Sequence, residues 1–140
     1  MKNSSMRKIN FIILHCSATK EGVSVTVNDI DRWHKERGFA KIGYHFVVYL
    51  DGSIHKGRPI EEIGAHCKGR NSDSIGICYV GGLDKTGKPK DTRTPAQKEA
   101  LWKLLRALKE KFPDAEIRSH KDFANKACPC FDATSEYRNI

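Results

Sequence analysis

Ile9-Asn10-Phe11-Ile12-Ile13-Leu14-His15, followed by polar Ser17-Ala18-Thr19, is the stretch on which the fold turns. Its four consecutive apolar residues Phe11-Ile12-Ile13-Leu14, with polar residues following the histidine, make Ile9 to His15 read as a buried strand. A histidine at its end is held rigidly where the sheet stops. Neighbouring strand side chains point to opposite faces, so if His15 faces a site, Cys16 faces away from it as a small core residue.

Working outward, Thr26 can cap a helix over about Val27 to Arg37, in which Val27, Ile30 and His34 recur at helical spacing beside Trp33 and Gly38 provides a stop. His34 reads there as a packing or surface histidine. Tyr44 to Leu50 is aromatic and β-branched, Asp51-Gly52 is a hairpin turn, and Ser53 to Lys56 returns as the partner strand. The polar, glycine-containing stretch Gly64 to Asn71 is an exposed loop suited to lining a cleft. Ile75 to Val80 is a short central strand closed by Gly81-Gly82, and Lys85 to Arg93 is a polar loop. Thr94-Pro95-Ala96-Gln97 combines a cap, a proline at the first helical position and a capping-box glutamine. Leu101, Leu104, Leu105 and Leu108 then form an apolar stripe until Phe112-Pro113 ends the helix. Glu116 to Ser119 is a last short strand delivering His120, and Thr134 to Asn139 forms a terminal helical turn.

Strands alternating with helices imply α/β architecture: a single three-layer domain, residues 9–140, behind an N-terminal tail over 1–8. The hairpin makes the central β-sheet mixed rather than purely parallel, flanked by helices, with the site at one edge. A length of 140 residues and 39% hydrophobic content suit one core. No stretch is long and apolar enough for membrane insertion, and the first residues do not read as a signal peptide. Twenty-five basic against 17 acidic residues leave a charge of +8, which favours an anionic partner: nucleic acid, a membrane surface or an acidic wall polymer. Basic and aromatic residues are not interleaved as nucleic-acid binders require, so no nucleic-acid partner is expected. Five cysteines cannot all pair internally, and without a secretory signal they read as free thiols or metal ligands.

The chemistry gathers near the C-terminus, at His120 and Lys126-Ala127-Cys128-Pro129-Cys130. Imidazole and thiolate are ligands that Zn²⁺ prefers, and His15 is the best further donor. His15, His120 and Cys128 would leave a fourth position open for water, the mark of a catalytic site. If Cys130 also ligates, the site is closed and structural. The open site ranks first, the closed site second and a non-metal role third. In an extended segment Lys126 projects to the same face as Cys128, placing an ammonium near the metal, and Tyr44 could add a phenol. Zinc nucleobase deamination is disfavoured because neither His-x-Glu nor Pro-Cys-x-x-Cys is present.

Taken together, Ile13-Leu14-His15-Cys16-Ser17-Ala18-Thr19, Trp33-His34-Lys35-Glu36, Gly43-Tyr44-His45-Phe46, Asn71-Ser72-Asp73-Ser74-Ile75-Gly76-Ile77-Cys78, Thr94-Pro95-Ala96-Gln97 and Lys126-Ala127-Cys128-Pro129 resemble the zinc-dependent N-acetylmuramoyl-L-alanine amidases. That superfamily also holds the peptidoglycan recognition proteins, and the motifs are most similar to its T-odd coliphage lysozyme branch. The resemblance implies a zinc amidase, endolysin-like and bacteriolytic, that degrades the bacterial cell wall. It implies zinc ligation by His15, His120 and Cys128, catalytic roles for Tyr44 and Lys126, and a substrate-binding groove wall around His66 and Asn71. The substrate would be peptidoglycan or a muropeptide. By analogy with the phage branch it extends to a regulatory protein partner, RNA polymerase, and the chain is expected to be a monomer. Synthesis in the cytoplasm would be followed by release to the wall, or the enzyme would act on imported wall fragments. Where many relatives carry a catalytic Glu, this chain has Cys78, which throws more of the chemistry onto Tyr44. The alternative is a non-catalytic peptidoglycan- or protein-binding module with a structural zinc.

Overall fold

The computed structural model describes residues 6–140. The apolar stretch forms β1 (Phe11–Cys16), the most heavily paired strand, with β5 (Ser74–Tyr79) on one side and β7 (Glu116–Ser119) on the other, both parallel. β3 (Phe46–Val48) extends the sheet parallel to β5, and β4 (Ile54–Lys56) closes it antiparallel, giving the order β4-β3-β5-β1-β7. A second, two-stranded parallel ladder joins β2 (Thr19–Lys20) to β6 (Gly82–Leu83).

Strand alternation divides the core in two. Ile12, Leu14, Val48, Ile75, Ile77 and Tyr79 face one side and pack on Leu101, Leu104, Leu105 and Leu108 of α2 (Pro95–Lys111). Val47, Cys78 and Val80 face the other and pack on Ile30 of α1 (Val27–Glu36). Helix, sheet and helix therefore make the expected three layers, with a short α3 (Ala133–Glu136) beside β7. Each fully buried aliphatic side chain contributes about 1.5–3 kcal/mol. No helix among the described residues is long and apolar enough to cross a membrane.

The expected strand from Tyr44 to Leu50 is shorter. Its far end is taken by the turn, where Gly52 N–H donates to the Tyr49 carbonyl and Asp51 Oδ1 accepts from Ser53 N–H and Oγ–H. Tyr44 lies ahead of β3 and is fixed differently. The preceding Gly43 N–H donates to His34 Nδ1 at 2.9 Å, and Tyr44's own carbonyl accepts from Arg58 N–H. His34 is thus a packing histidine, as its position on α1 suggests. Of the expected N-terminal tail, residues 1–5 lie outside the described residues, while the Arg7 guanidinium donates to the Ile60 carbonyl at 3.0 Å.

Gln97 performs two tasks. Its Oε1 accepts from Thr94 N–H to complete the capping box, and its fully buried amide donates to the carbonyls of Val48 and Val80 at 3.2 and 3.0 Å. Helix α2 is thereby tied to the ends of two strands. Gln97→Ala leaves the buried Val80 carbonyl without this donor, while the Val48 carbonyl still accepts from Val80 N–H, and is expected to lower the unfolding free energy by about 1–3 kcal/mol in urea titrations; a loss under about 0.5 kcal/mol would show that the tie carries no energy.

His45, fully buried, accepts from Gly76 N–H at Nδ1 (3.0 Å) and lies 2.8 Å from the Glu62 carbonyl at Nε2, which therefore carries the proton. Burial holds its pKa down to about 4. The unfolded chain binds a proton near pH 6.5 that the folded chain refuses until about 4, so this contribution is whole above pH 6.5 and is lost as the pH falls. Within that window His45 adds about 1.4 kcal/mol per pH unit to the pH dependence of unfolding. His45→Gln should flatten the slope by that amount, measured by urea unfolding at pH 7, 6 and 5; an unaltered slope would remove His45 as its source.

Candidate metal centre and its cleft

The register of β1 with β7 sets Leu14 opposite Ser119, so the residues that follow, His15 and His120, emerge side by side at the carboxyl ends of parallel strands. Clefts in open α/β sheets form at such ends. The two imidazole rings lie 4.4 Å apart by centroid. His120 opens a 3-10 turn over His120–Asp122, pinned where Ser119 N–H donates to Asp122 Oδ2 and Ser119 Oγ accepts from Ala133 N–H.

Cys128 arrives from the C-terminal segment, which is clamped on both sides. Lys121 N–H donates to the Cys128 carbonyl, and the buried Tyr79 hydroxyl donates to the Pro129 carbonyl at 2.7 Å. Its thiol stands 3.9 Å from His15 Nδ1 and accepts the Cys16 N–H at 3.2 Å. One donor atom from each of His15, His120 and Cys128 lies within 4.8 Å of the other two.

These residues fit a metal ion. Neighbouring ligands around tetrahedral zinc are about 3.5 Å apart, close to the His15–Cys128 separation. His120 Nδ1 is buried and has no hydrogen-bond partner among the described residues, a cost that a bound cation removes. Burial, then the neighbouring His66 and His120, pushes His15 well below the usual imidazole range, and burial with nearby Lys126 lowers His120. Both rings keep a free lone pair at neutral pH. The other two thiols nearby stay protonated: a hydrogen bond with Cys128 and burial raise Cys16, and burial raises Cys130 to about 11. Cys130 directs its S–H to the Gly82 carbonyl at 3.2 Å and has no place in the three-residue cluster.

Beside the cluster opens a cleft of about 560 Å³, with His34, Arg37, Tyr44, Asn71, His120 and Lys126 among its walls. Tyr44 lies 5.0 Å from the His15 ring by centroid, and burial keeps its phenol protonated far above the usual range. Lys126 also borders the adjoining hollow at Cys128. His66 and Asn71 line the same wall, yet their side chains are engaged. Asn71 Oδ1 accepts from His66 N–H and Cys67 N–H, and the His66 ring contacts His15. Cys78 sits fully buried opposite His15 in the register. Sequence reading did not single out Arg37, although it follows His34 by one helical turn and so shares its face.

Two imidazoles and a thiol thus gather at the carboxyl ends of β1 and β7, with the Tyr44 and Lys126 side chains on the wall of the cleft beside them. The chain belongs to the N-acetylmuramoyl-L-alanine amidase family, whose sequence model matches residues 5–131. It is 48% identical to the endolysin of Klebsiella phage KP32 over 121 residues, 86% of this chain and 80% of that protein. It is 47% identical to the endolysin of Escherichia phage T7 with the same coverage. Among solved structures, the N-acetylmuramoyl-L-alanine amidase LysC from Clostridium intestinale URNW superposes with a TM-score of 0.79 at 31% identity, covering 94% of this chain and 83% of LysC.

Proposed function

We propose that this chain hydrolyses the amide joining N-acetylmuramic acid to L-alanine in peptidoglycan, using a zinc ion held by His15, His120 and Cys128. The observation that carries the reading is the convergence of those three side chains, with His120 Nδ1 buried and without a partner among the described residues, in a chain of the amidase family. Zinc in such a site supplies Lewis acidity and brings the pKa of bound water to about 7. The protein's own groups do the rest. Tyr44, kept protonated by burial, donates a hydrogen bond to the oxygen that becomes negative as water adds to the amide. The Lys126 ammonium borders the same cleft and favours that charge. A carboxylate is missing from the β5 position opposite His15, where Cys78 stands, so the phenol is also the group placed to help protonate the departing amine. The cleft orients the strand, with Asn71 in its wall, and the net charge of +8 suits an anionic wall polymer.

The reading is tested with a defined muramyl-peptide and product analysis by mass spectrometry. Release of an intact peptide with a free L-alanine amine, abolished by chelator and restored by zinc, is expected. Absence of cleavage by protein shown to carry zinc would instead indicate a wall-binding module. Tyr44→Phe is expected to lower kcat about 100-fold while zinc content stays at the wild-type level; an unchanged kcat would remove the phenol from the chemistry.

A further inference from the structure

We propose that His66 is a positioning residue for the metal centre, locking His15 in the tautomer and orientation that ligation requires through a one-way chain of hydrogen bonds. The chain runs from His15 Nε2 to His66 Nδ1 at 2.8 Å, from His66 Nε2 to Ser74 Oγ at 3.2 Å, and from Ser74 Oγ to the Arg70 carbonyl at 2.6 Å. The inference rests on the zinc reading above and adds a role that a groove-wall residue does not have.

Proton counting gives the chain its direction. The nitrogen of His15 that faces the Cys128 thiol is Nδ1, so ligation by Nδ1 places the proton of the neutral ring on Nε2. His15 Nε2–H must then donate to His66 Nδ1. That leaves the His66 proton on Nε2, where it donates to Ser74 Oγ, and the Ser74 hydroxyl hydrogen passes to the Arg70 carbonyl, which can only accept. Reversing the chain would put the His15 proton on Nδ1 and block ligation. It would also oblige Ser74 to donate to His66, leaving the 2.6 Å contact to Arg70 without a hydrogen.

The surrounding backbone is shaped to this ring. A Cβ on Gly76 would lie 2.6 Å from His66 Cγ, and one on Gly64 would lie 2.7 Å from His66 Cδ2, so both neighbours must be glycine for the ring to fit. Asn71 Oδ1 accepts from the backbone N–H groups of His66 and Cys67, holding the loop in place behind it. The ring stands edge-on to His15, at 88° and 4.8 Å between centroids. Residues from the loop, the 3-10 turn over Asn71–Asp73 and β5 thus converge on one imidazole whose polar contact toward the centre is His15. Partners of metal-bound histidines fix the ring and raise its basicity, and their removal costs about 10–100-fold in metal affinity.

The test is zinc affinity by competition with a chromophoric chelator, together with long-range ¹⁵N–¹H spectra of the zinc-loaded wild-type protein. His66→Ala is expected to weaken zinc binding about 10–100-fold. His66→Gln, whose amide can accept from His15 and donate to Ser74, should restore most of the loss. Ser74→Ala, which removes only the far anchor, should show a smaller loss in the same direction and serves if the first variant does not fold. In the spectra His66 should be the Nε2–H tautomer. Wild-type zinc affinity in His66→Ala, with only KM raised, would make His66 a substrate contact and overturn the assignment; an Nδ1–H tautomer would do the same. A wild-type chain that takes up no zinc would remove the metal reading along with this one, whereas zinc-loaded wild type with unaltered variants removes the His66 role alone.

Discussion

The parallel pairing of β1 with β7 is the constraint on which the site depends. Because Leu14 pairs with Ser119, the next residue on each strand is a histidine, and two imidazoles reach the same point without any loop having to search for it. A one-residue slip would move every β1 side chain to the opposite face, removing His15 from its partner and Ile12 and Leu14 from the core under α2 at the same time. Burial of the strand and assembly of the site are therefore one event.

Such an arrangement places polar groups where water is scarce, and the chain answers three of the histidines with specific partners. His34 accepts from Gly43, His45 from Gly76, and His15 meets His66. Among the described residues, two buried side-chain atoms are left over: Asp73 Oδ1, and His120 Nδ1 in the cluster that can hold a metal. Unmet hydrogen-bonding capacity on an imidazole, beside rings whose nitrogens are satisfied, suits a cation ligand.

Much of this was legible in the sequence, for physical reasons particular to each element. The apolar run of β1, the caps at Thr26 and Thr94, the leucine stripe of α2 and the Asp51-Gly52 turn are local signals that tertiary packing reinforced. The convergence of His15, His120 and Cys128 was inferred from ligand chemistry and from resemblance, and the fold brings them together. The β2–β6 ladder was not foreseen, since two residues on each side are too few to show a period. Tyr44 falls outside its expected strand because loop contacts, which leave no pattern, set its position. The orientation of Cys130 and the engagement of His66 with His15 depend on long-range packing; Gly64 and Gly76 were the available hints of a ring needing room.

Zinc K-edge X-ray absorption on the metal-loaded protein is the most direct measurement of the centre. An open His15, His120 and Cys128 site should show one sulfur at about 2.3 Å and three nitrogen or oxygen scatterers at about 2.0–2.1 Å. Two sulfurs in the shell would bring in Cys130, close the fourth position and contradict a catalytic centre at these strand ends.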